Sequence, residues 1–268
     1  MTTARISSRQ NALVARYRHV ARGDDASLVL LDGAHLIVEA LRSGVTVRDV
    51  LVTDEARRRP EVVTLLDQLR RADIAAVAAT AAVVAAASPV RSSAGIVALA
   101  ELPRDRSDEI FTGTGVLALI ACDVQDPGNL GAMIRVAEAA GASGAVAAGE
   151  SADPFGWKAL RGSMGSALRL PIGRQASIDD AVDEARRHGV SIVVTQPRGG
   201  RSIYETDLTR PVAIVLGGEG AGVPQAVIDA ADERLSIPMT APVESLNTAT
   251  AAAVLLFEAR RQRSRSTE

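Results

Sequence analysis

Three short segments of this chain set polar side chains among glycines and prolines, where loops hold them near bare backbone. The first runs Asp123-Val124-Gln125-Asp126-Pro127-Gly128-Asn129-Leu130-Gly131 and continues to Arg135. Asn129 offers an amide and Arg135 a permanent cation. Taken alone, Asp126-Pro127-Gly128 is an ordinary turn and Arg135 a surface charge. The second, Leu216-Gly217-Gly218-Glu219-Gly220-Ala221-Gly222, brings backbone close to a ligand around one acid. It lacks the Lys-Ser/Thr of a P-loop and does not reproduce GxGxxG, so nucleoside triphosphate and dinucleotide readings fall away; a plain turn leading into a helix is the alternative. The third is Ile237-Pro238-Met239 followed by Glu244-Ser245-Leu246-Asn247-Thr248-Ala249. Ser245 or Asn247 would equally serve as the cap of a final helix. Cys122 follows an apolar run with no histidine or second cysteine nearby in sequence, which marks a packing residue rather than a nucleophile.

These loops need elements to hold them. Val116 to Ala121 is a continuous apolar run suited to a central parallel strand. The spacing predicts a helix over Leu130 to Ala140, ended by Gly141, and a strand over Gly144 to Ala148, which makes a βαβ unit. The alternation continues with Ile178 to His188 (helix), Ser191 to Thr195 and Pro211 to Leu216 (strands), Pro224 to Ala231 (helix), Arg234 to Ile237 (strand) and Ser245 to Arg263 (helix). A mostly parallel sheet follows, and open sheets of that kind bind ligands beyond the carboxyl ends of their strands, where all three segments fall. Upstream, Ser27 to Leu31, Val47 to Thr53, Ile74 to Ala78 and Ile96 to Ala100 read as strands, with helices over His35 to Ser43 and Pro60 to Arg71. Leu102 to Gly115, rich in charge, proline and glycine, reads as a linker. The expected organisation is a domain over residues 1–104, a linker over 105–115 and a second domain over 116–268.

Composition narrows the chemistry. With 30 basic and 32 acidic residues among 268, the net charge of −2 gives no global field for a polyanion, so nucleic-acid contact would need a local patch. Arg5, Arg9, Arg16, Arg18 and Arg22 precede the first acid, Asp24, and form such an asymmetry, readable as a solvated helix face or as phosphate contacts. One cysteine excludes a disulfide framework, and three histidines make a His-rich metal centre a poor expectation. The opening residues lack the apolar core of a signal peptide, and Ile74 to Val90 is too weakly apolar to span a membrane. A cytoplasmic protein without a metal or a membrane partner is expected.

In order and spacing over residues about 116 to 262, the three segments resemble the motifs of the SpoU/TrmH family of RNA ribose 2′-O-methyltransferases. Ser163-Met164-Gly165-Ser166 with Leu170-Pro171 is similar to that family's segment between motifs. Residues about 5 to 100, with Ser8-Arg9-Gln10-Asn11 and Leu30-Leu31-Asp32-Gly33, resemble its N-terminal RNA-binding domain, itself similar to ribosomal proteins. Gly218 stands where the family frequently has Asn, Asp32 where it has Glu, and Thr248 where it has an aliphatic residue.

The resemblance implies an α/β SPOUT domain with a deep trefoil knot, working as a homodimer on S-adenosyl-L-methionine. It implies cofactor contacts at Gly217, Gly218, Ile237, Met239, Leu246 and Asn247, and catalytic roles for Asn129, Arg135, Glu219, Ser245 and Asn247. The implied substrate is ribosomal RNA, of the large subunit. A tRNA substrate, or a noncatalytic assembly factor that kept the fold, are the alternatives. RNA would be held by the N-terminal arginines with Arg161 and Arg169 as phosphate contacts, since aromatics at 2% leave little for base stacking. The resemblance implies Arg135 as the base. A guanidinium resists deprotonation, so Arg135 is expected instead to grip phosphate and stabilise alkoxide, while Glu219 or water takes the proton. The alternative for Glu219 is that it only orients a loop amide.

Overall fold

A computed structural model of the chain describes residues 5–220 and 222–265. Residues 1–4 and 266–268 of the expected domains, and Ala221 of the glycine-rich segment, lie outside the described residues. The chain divides into two compact units, the first formed by Met1–Arg104 with Phe155–Leu168 and the second by Asp105–Pro154 with Arg169–Glu268.

The first unit is a four-stranded mixed sheet of β1 (Leu28–Asp32), β2 (Val47–Thr53), β3 (Ala76–Ala79) and β4 (Ile96–Glu101) in the order β1-β4-β2-β3. β4 runs antiparallel to both neighbours, and β2 and β3 are parallel. α1 (Ala12–Arg22) starts where Asn11 accepts a hydrogen bond from the Leu13 N–H at 2.9 Å, and it ends at Gly23, whose φ of 82° suits glycine. It buries Val14, Tyr17 and Val20 together with Val83, Val84 and Ala87 of α4 (Ala81–Ala87), against Leu30, Leu51, Val97 and Leu99 of the sheet. α2 (Ala34–Arg42) and α3 (Pro60–Arg71) pack together. The sequence reading leaves Phe155–Leu168 in the C-terminal domain, yet this segment, with α6 (Trp157–Gly162), clusters with the first unit because Trp157 packs against the same apolar core.

The second unit is a seven-stranded, all-parallel sheet. Its strands are β5 (Leu117–Cys122), β6 (Gly144–Ala148), β7 (Ile172–Gln175), β8 (Ser191–Thr195), β9 (Arg201–Ser202), β10 (Val212–Gly217) and β11 (Glu233–Ser236), in the order β7-β6-β5-β10-β8-β11-β9. β5 is buried along its whole length, as an apolar strand covered on both faces must be. α5 (Pro127–Ala140), α7 (Ile178–Arg187), α8 (Gln225–Ala230) and α9 (Thr248–Arg265) complete the layers, with α9 lying along α5. The stretch read as a linker is partly core: Ile110 and Phe111 are 1% and 4% exposed and join the cluster around β5. Their neighbours are matched to them, since a Cβ on Gly144 would meet Ile110 Cγ1 at 2.7 Å. From β5 the chain moves outward to β6 and β7, then returns to place β10 on the other side of β5. The loops leaving β5 and β10 therefore emerge side by side at a topological switch point.

Candidate active site

β5 ends at Cys122, and the chain turns through Asp123 into α5, whose first turn is set by Pro127 at N1 and by Asp126 as cap. The Asp126 carboxylate accepts the Asn129 N–H at 2.7 Å, which fixes Asn129 at the helix start. β10 ends at Gly217, and two close approaches demand glycine there. A Cβ on Gly217 would lie 2.3 Å from the Gly222 carbonyl carbon, and one on Gly218 would lie 2.1 Å from the Asp123 carbonyl oxygen. The Gly218 N–H donates to Cys122 O at 2.7 Å, so the two loops are tied before any side chain is considered.

Three of the expected catalytic side chains meet across these loops. Asn129 Nδ2 donates to Glu219 Oε1 at 3.0 Å, and Asn247 Nδ2 donates both to Glu219 Oε1 at 3.1 Å and to Asn129 Oδ1 at 3.1 Å. The other Glu219 carboxylate oxygen has no donor among the described residues. Asn247 serves two structures at once: its Oδ1 accepts the N–H groups of Ala249 at 3.0 Å and Thr250 at 3.3 Å, which caps α9. Capping and site membership are thus not alternatives, because an amide has two ends. α9 begins at Thr248 rather than at Ser245, leaving Ser245 and Leu246 in the loop.

Beside this cluster lies a cavity of about 490 Å³. Gly217, Gly218, Glu219, Ile237, Met239, Ser245 and Leu246, all expected from the sequence, line it. Its floor is apolar, with Leu216, Val223, Ile228, Leu235 and Leu255. Thr195, Gln196 and Pro197 also line it, and sequence reasoning missed them. Their signal was positional, since Thr195 ends β8 and Gln196 and Pro197 follow it, and β8 is a neighbour of β10 whose carboxyl end faces the same rim. An apolar slot walled by glycine backbone, with carbonyls and N–H groups at its edge, fits an adenosine-containing ligand read through the main chain.

The remaining expected residues are placed differently. Arg135 sits on α5 roughly 9 Å of helix rise beyond Asn129, exposed, outside the cavity lining and without an ion-pair partner among the described residues. Arg169 holds Glu138 in a two-point ion pair, Nε to Oε1 at 2.7 Å and a terminal nitrogen to Oε2 at 2.8 Å, so the structure commits it to its own chain. Of the N-terminal arginines, Arg5 pairs with Asp54 at 3.2 Å, Arg16 with Asp49 at 2.9 Å and Arg22 with Asp24 at 2.8 Å, while Arg18 donates to Ala86 O at 2.9 Å. The charge asymmetry of the first residues is thus met in part by later acids. Arg9 and Arg161 form no ion pair within bonding distance among the described residues, although Arg161 lies close enough to Asp32 for its charge to favour that carboxylate. Cys122 is fully buried, and burial, reinforced by the Asp123 carboxylate, pushes its thiol up to about 12, which removes it as a nucleophile at neutral pH. Among the described residues no helix is long and apolar enough to cross a membrane, and no cluster of His, Cys, Asp and Glu is arranged to hold a metal ion.

An open parallel sheet with a glycine-walled slot and an amide–carboxylate cluster at its carboxyl rim defines an α/β enzyme of the switch-point type. The chain belongs to the SpoU rRNA methylase family, whose sequence model matches residues 116–257. It is 35% identical over 231 residues to the 23S rRNA (guanosine(2553)-2′-O)-methyltransferase RlmP of Bacillus subtilis, covering 86% of this chain and 88% of that one. It is 38% identical to the 23S rRNA (uridine(2479)-2′-O)-methyltransferase of Streptomyces viridochromogenes, over 63% of this chain and 60% of that one. The crystal structure of the SpoU methyltransferase AviRb from Streptomyces viridochromogenes, in complex with AdoMet, matches with a TM-score of 0.83 at 31% identity, covering 95% of this chain and all of that one.

Proposed function

We propose that this chain transfers a methyl group from S-adenosylmethionine to a ribose 2′-hydroxyl of 23S ribosomal RNA. The observation that carries the reading is the Asn129–Glu219–Asn247 cluster at the mouth of the glycine-walled cavity. Family membership and the named activity of relatives matching most of the chain support it. Those relatives act on large-subunit RNA, which favours rRNA over tRNA, and the intact cluster favours an enzyme over a binding-only factor.

When bound, S-adenosylmethionine supplies an activated methyl carbon. Backbone of Gly217, Gly218, Ile237, Met239 and Leu246 holds the donor, and the apolar floor keeps water from it. Asn129 and Asn247 fix the Glu219 carboxylate through one oxygen, leaving the other to accept the 2′-hydroxyl proton, directly or through water, as the ribose oxygen bonds to the methyl carbon and the sulfur–carbon bond breaks. Arg135 grips the adjacent phosphate and stabilises negative charge developing on the ribose oxygen. Ser245 supplies a hydroxyl at the same mouth. Arg9 and Arg161 act as phosphate contacts on the first unit.

The same reading makes the second unit a trefoil knot, with the C-terminal segment threaded through a loop of its own sheet. Its support is the family and the seating of α9 along α5. The working form is a homodimer: Phe257 on α9 is 47% exposed in the single chain, an aromatic left for a second copy to cover.

Mapping ribose methylation in RNA from cells with and without the gene tests the proposal. One large-subunit site should vanish on deletion and return with the wild-type gene. Loss at a tRNA site instead, or no change in any RNA, would overturn it.

A further inference from the structure

We infer that Ser151 is a positioning residue for methyl transfer: its hydroxyl fixes the turn between β5 and α5 and thereby holds Asn129 against Glu219. The inference rests on the methyltransferase reading above.

The turn needs an external hold. Asp123 adopts a φ of 54°, a region that non-glycine residues enter at a cost, so surrounding contacts must keep it there. Those contacts come from the end of β6 and the segment after it. The Asp123 N–H donates to Ala148 O at 3.2 Å, the Glu150 N–H to Asp123 Oδ1 at 2.8 Å, and the Ala152 N–H to Val124 O at 2.9 Å. Ser151 joins them through one oxygen. Its Oγ accepts the Val124 N–H at 3.0 Å and shares its own proton between Ala148 O at 2.8 Å and Ala121 O at 3.1 Å. The carboxyl ends of β5 and β6 and the first free amide of the turn therefore converge on a single hydroxyl. Two residues after Val124 comes Asp126, whose carboxylate fixes the Asn129 N–H. A slack turn would move the cap, and with it the amide that faces Glu219.

Ser151 neither lines the cavity nor belongs to the side-chain cluster. Its removal should therefore slow the transfer while leaving donor binding intact, a split that general loss of stability would not produce. A matched control exists on the same strand. Ser143 Oγ donates to Leu117 O at 3.1 Å at the opposite end of β5, so Ser143→Ala loses a comparable bond far from the site.

The experiment compares wild type, Ser151→Ala, Ser151→Thr and Ser143→Ala. It measures single-turnover methylation of an unmodified 23S rRNA transcript, S-adenosylmethionine affinity by calorimetry, and hydrogen exchange at the Val124 and Asn129 amides. Ser151→Ala should lose roughly tenfold in rate, keep its donor affinity within about twofold, and exchange faster at both amides. Ser151→Thr, which keeps the hydroxyl, should restore rate and protection, and Ser143→Ala should match wild type in both. A wild-type rate in Ser151→Ala, unchanged exchange at Asn129, or equal slowing in Ser143→Ala would overturn the inference. If Ser151→Ala does not fold, Ser151→Cys, with its weaker acceptor, takes its place, and a wild-type rate there is the overturning result. A wild-type enzyme that leaves every transcript unmethylated would instead defeat the functional reading, and the two failures are thereby told apart.

Discussion

The two rims of the parallel sheet are made of different materials. At the carboxyl rim, glycines bring loops into contact, and the polar side chains of Asn129, Glu219 and Asn247 bond mainly to one another across three loops. At the amino rim, Arg263 near the end of α9 donates to the carbonyls of Leu208 at 2.8 Å, Gly115 at 2.6 Å, Val116 at 2.9 Å and Arg210 at 2.7 Å. Those carbonyls belong to the chain approaching β5 and β10; Val116 O also accepts the Val212 N–H at 3.0 Å, the first bond between the two strands, so Arg263 gathers the approach to both strands at one point. One rim is closed upon itself by the end of α9, where Arg263 is joined by Gln262, which accepts the Leu208 N–H at 2.8 Å and donates to Thr206 O at 3.0 Å. The other keeps acceptor capacity and bare backbone open to a ligand. Chemistry and cohesion are thus separated along the length of the same strands.

Substitution at each rim should expose that separation. The largest effect is expected from Gly218→Ala, because the added methyl would meet a backbone carbonyl at 2.1 Å with no flexible side chain to yield. Methyl transfer should fall by roughly a hundredfold or more, with donor affinity lowered as well, as single-turnover assays and calorimetry on material with native circular dichroism would record. Arg135→Lys comes next. A planar fork on phosphate is not replaced by an ammonium, so turnover should drop about tenfold at every pH tested. Recovery to nearly full turnover at elevated pH with unchanged RNA affinity would show that this residue is the base instead. Arg263→Ala should barely alter turnover per folded molecule while lowering unfolding free energy by about 2–3 kcal/mol in urea titration. A variant that keeps its stability and loses its rate would erase the distinction between the rims.

The distribution of what the sequence disclosed follows the same physics. β2, β6, β8 and α3 were legible to the residue, because short apolar clusters bounded by polar or glycine residues, or a clean helical stripe, report burial directly. α6 and β7 were not read: one is a six-residue helix and the other is Ile172-Gly173-Arg174-Gln175, both too short for a period to declare itself. α5 begins at Pro127 rather than Leu130 because its first turn is specified by a cap and a proline, not by apolar spacing. Ile110 and Phe111 hid in a charged stretch, and only the tertiary fold shows what they cover. In the site, motif order located Glu219, Asn129 and Asn247 but carried no information on the partners of Arg169 and Arg16, which lie 31 and 33 residues away in the chain. The structure also constrains how the N-terminal arginines can be tested. Removing residues 1–23 would strip Val14, Tyr17 and Val20 from the core, so single substitutions at Arg9 and Arg161 are the sound probes of RNA contact.

Asn247 joins two fates that most enzymes keep separate. Its carbonyl oxygen secures the opening of the final helix, and its amide secures the Glu219 carboxylate, the group proposed above to take the proton. Fraying of that helix opening and silencing of the chemistry are therefore one event, and gentle heating should extinguish turnover while the parallel sheet beneath is still whole.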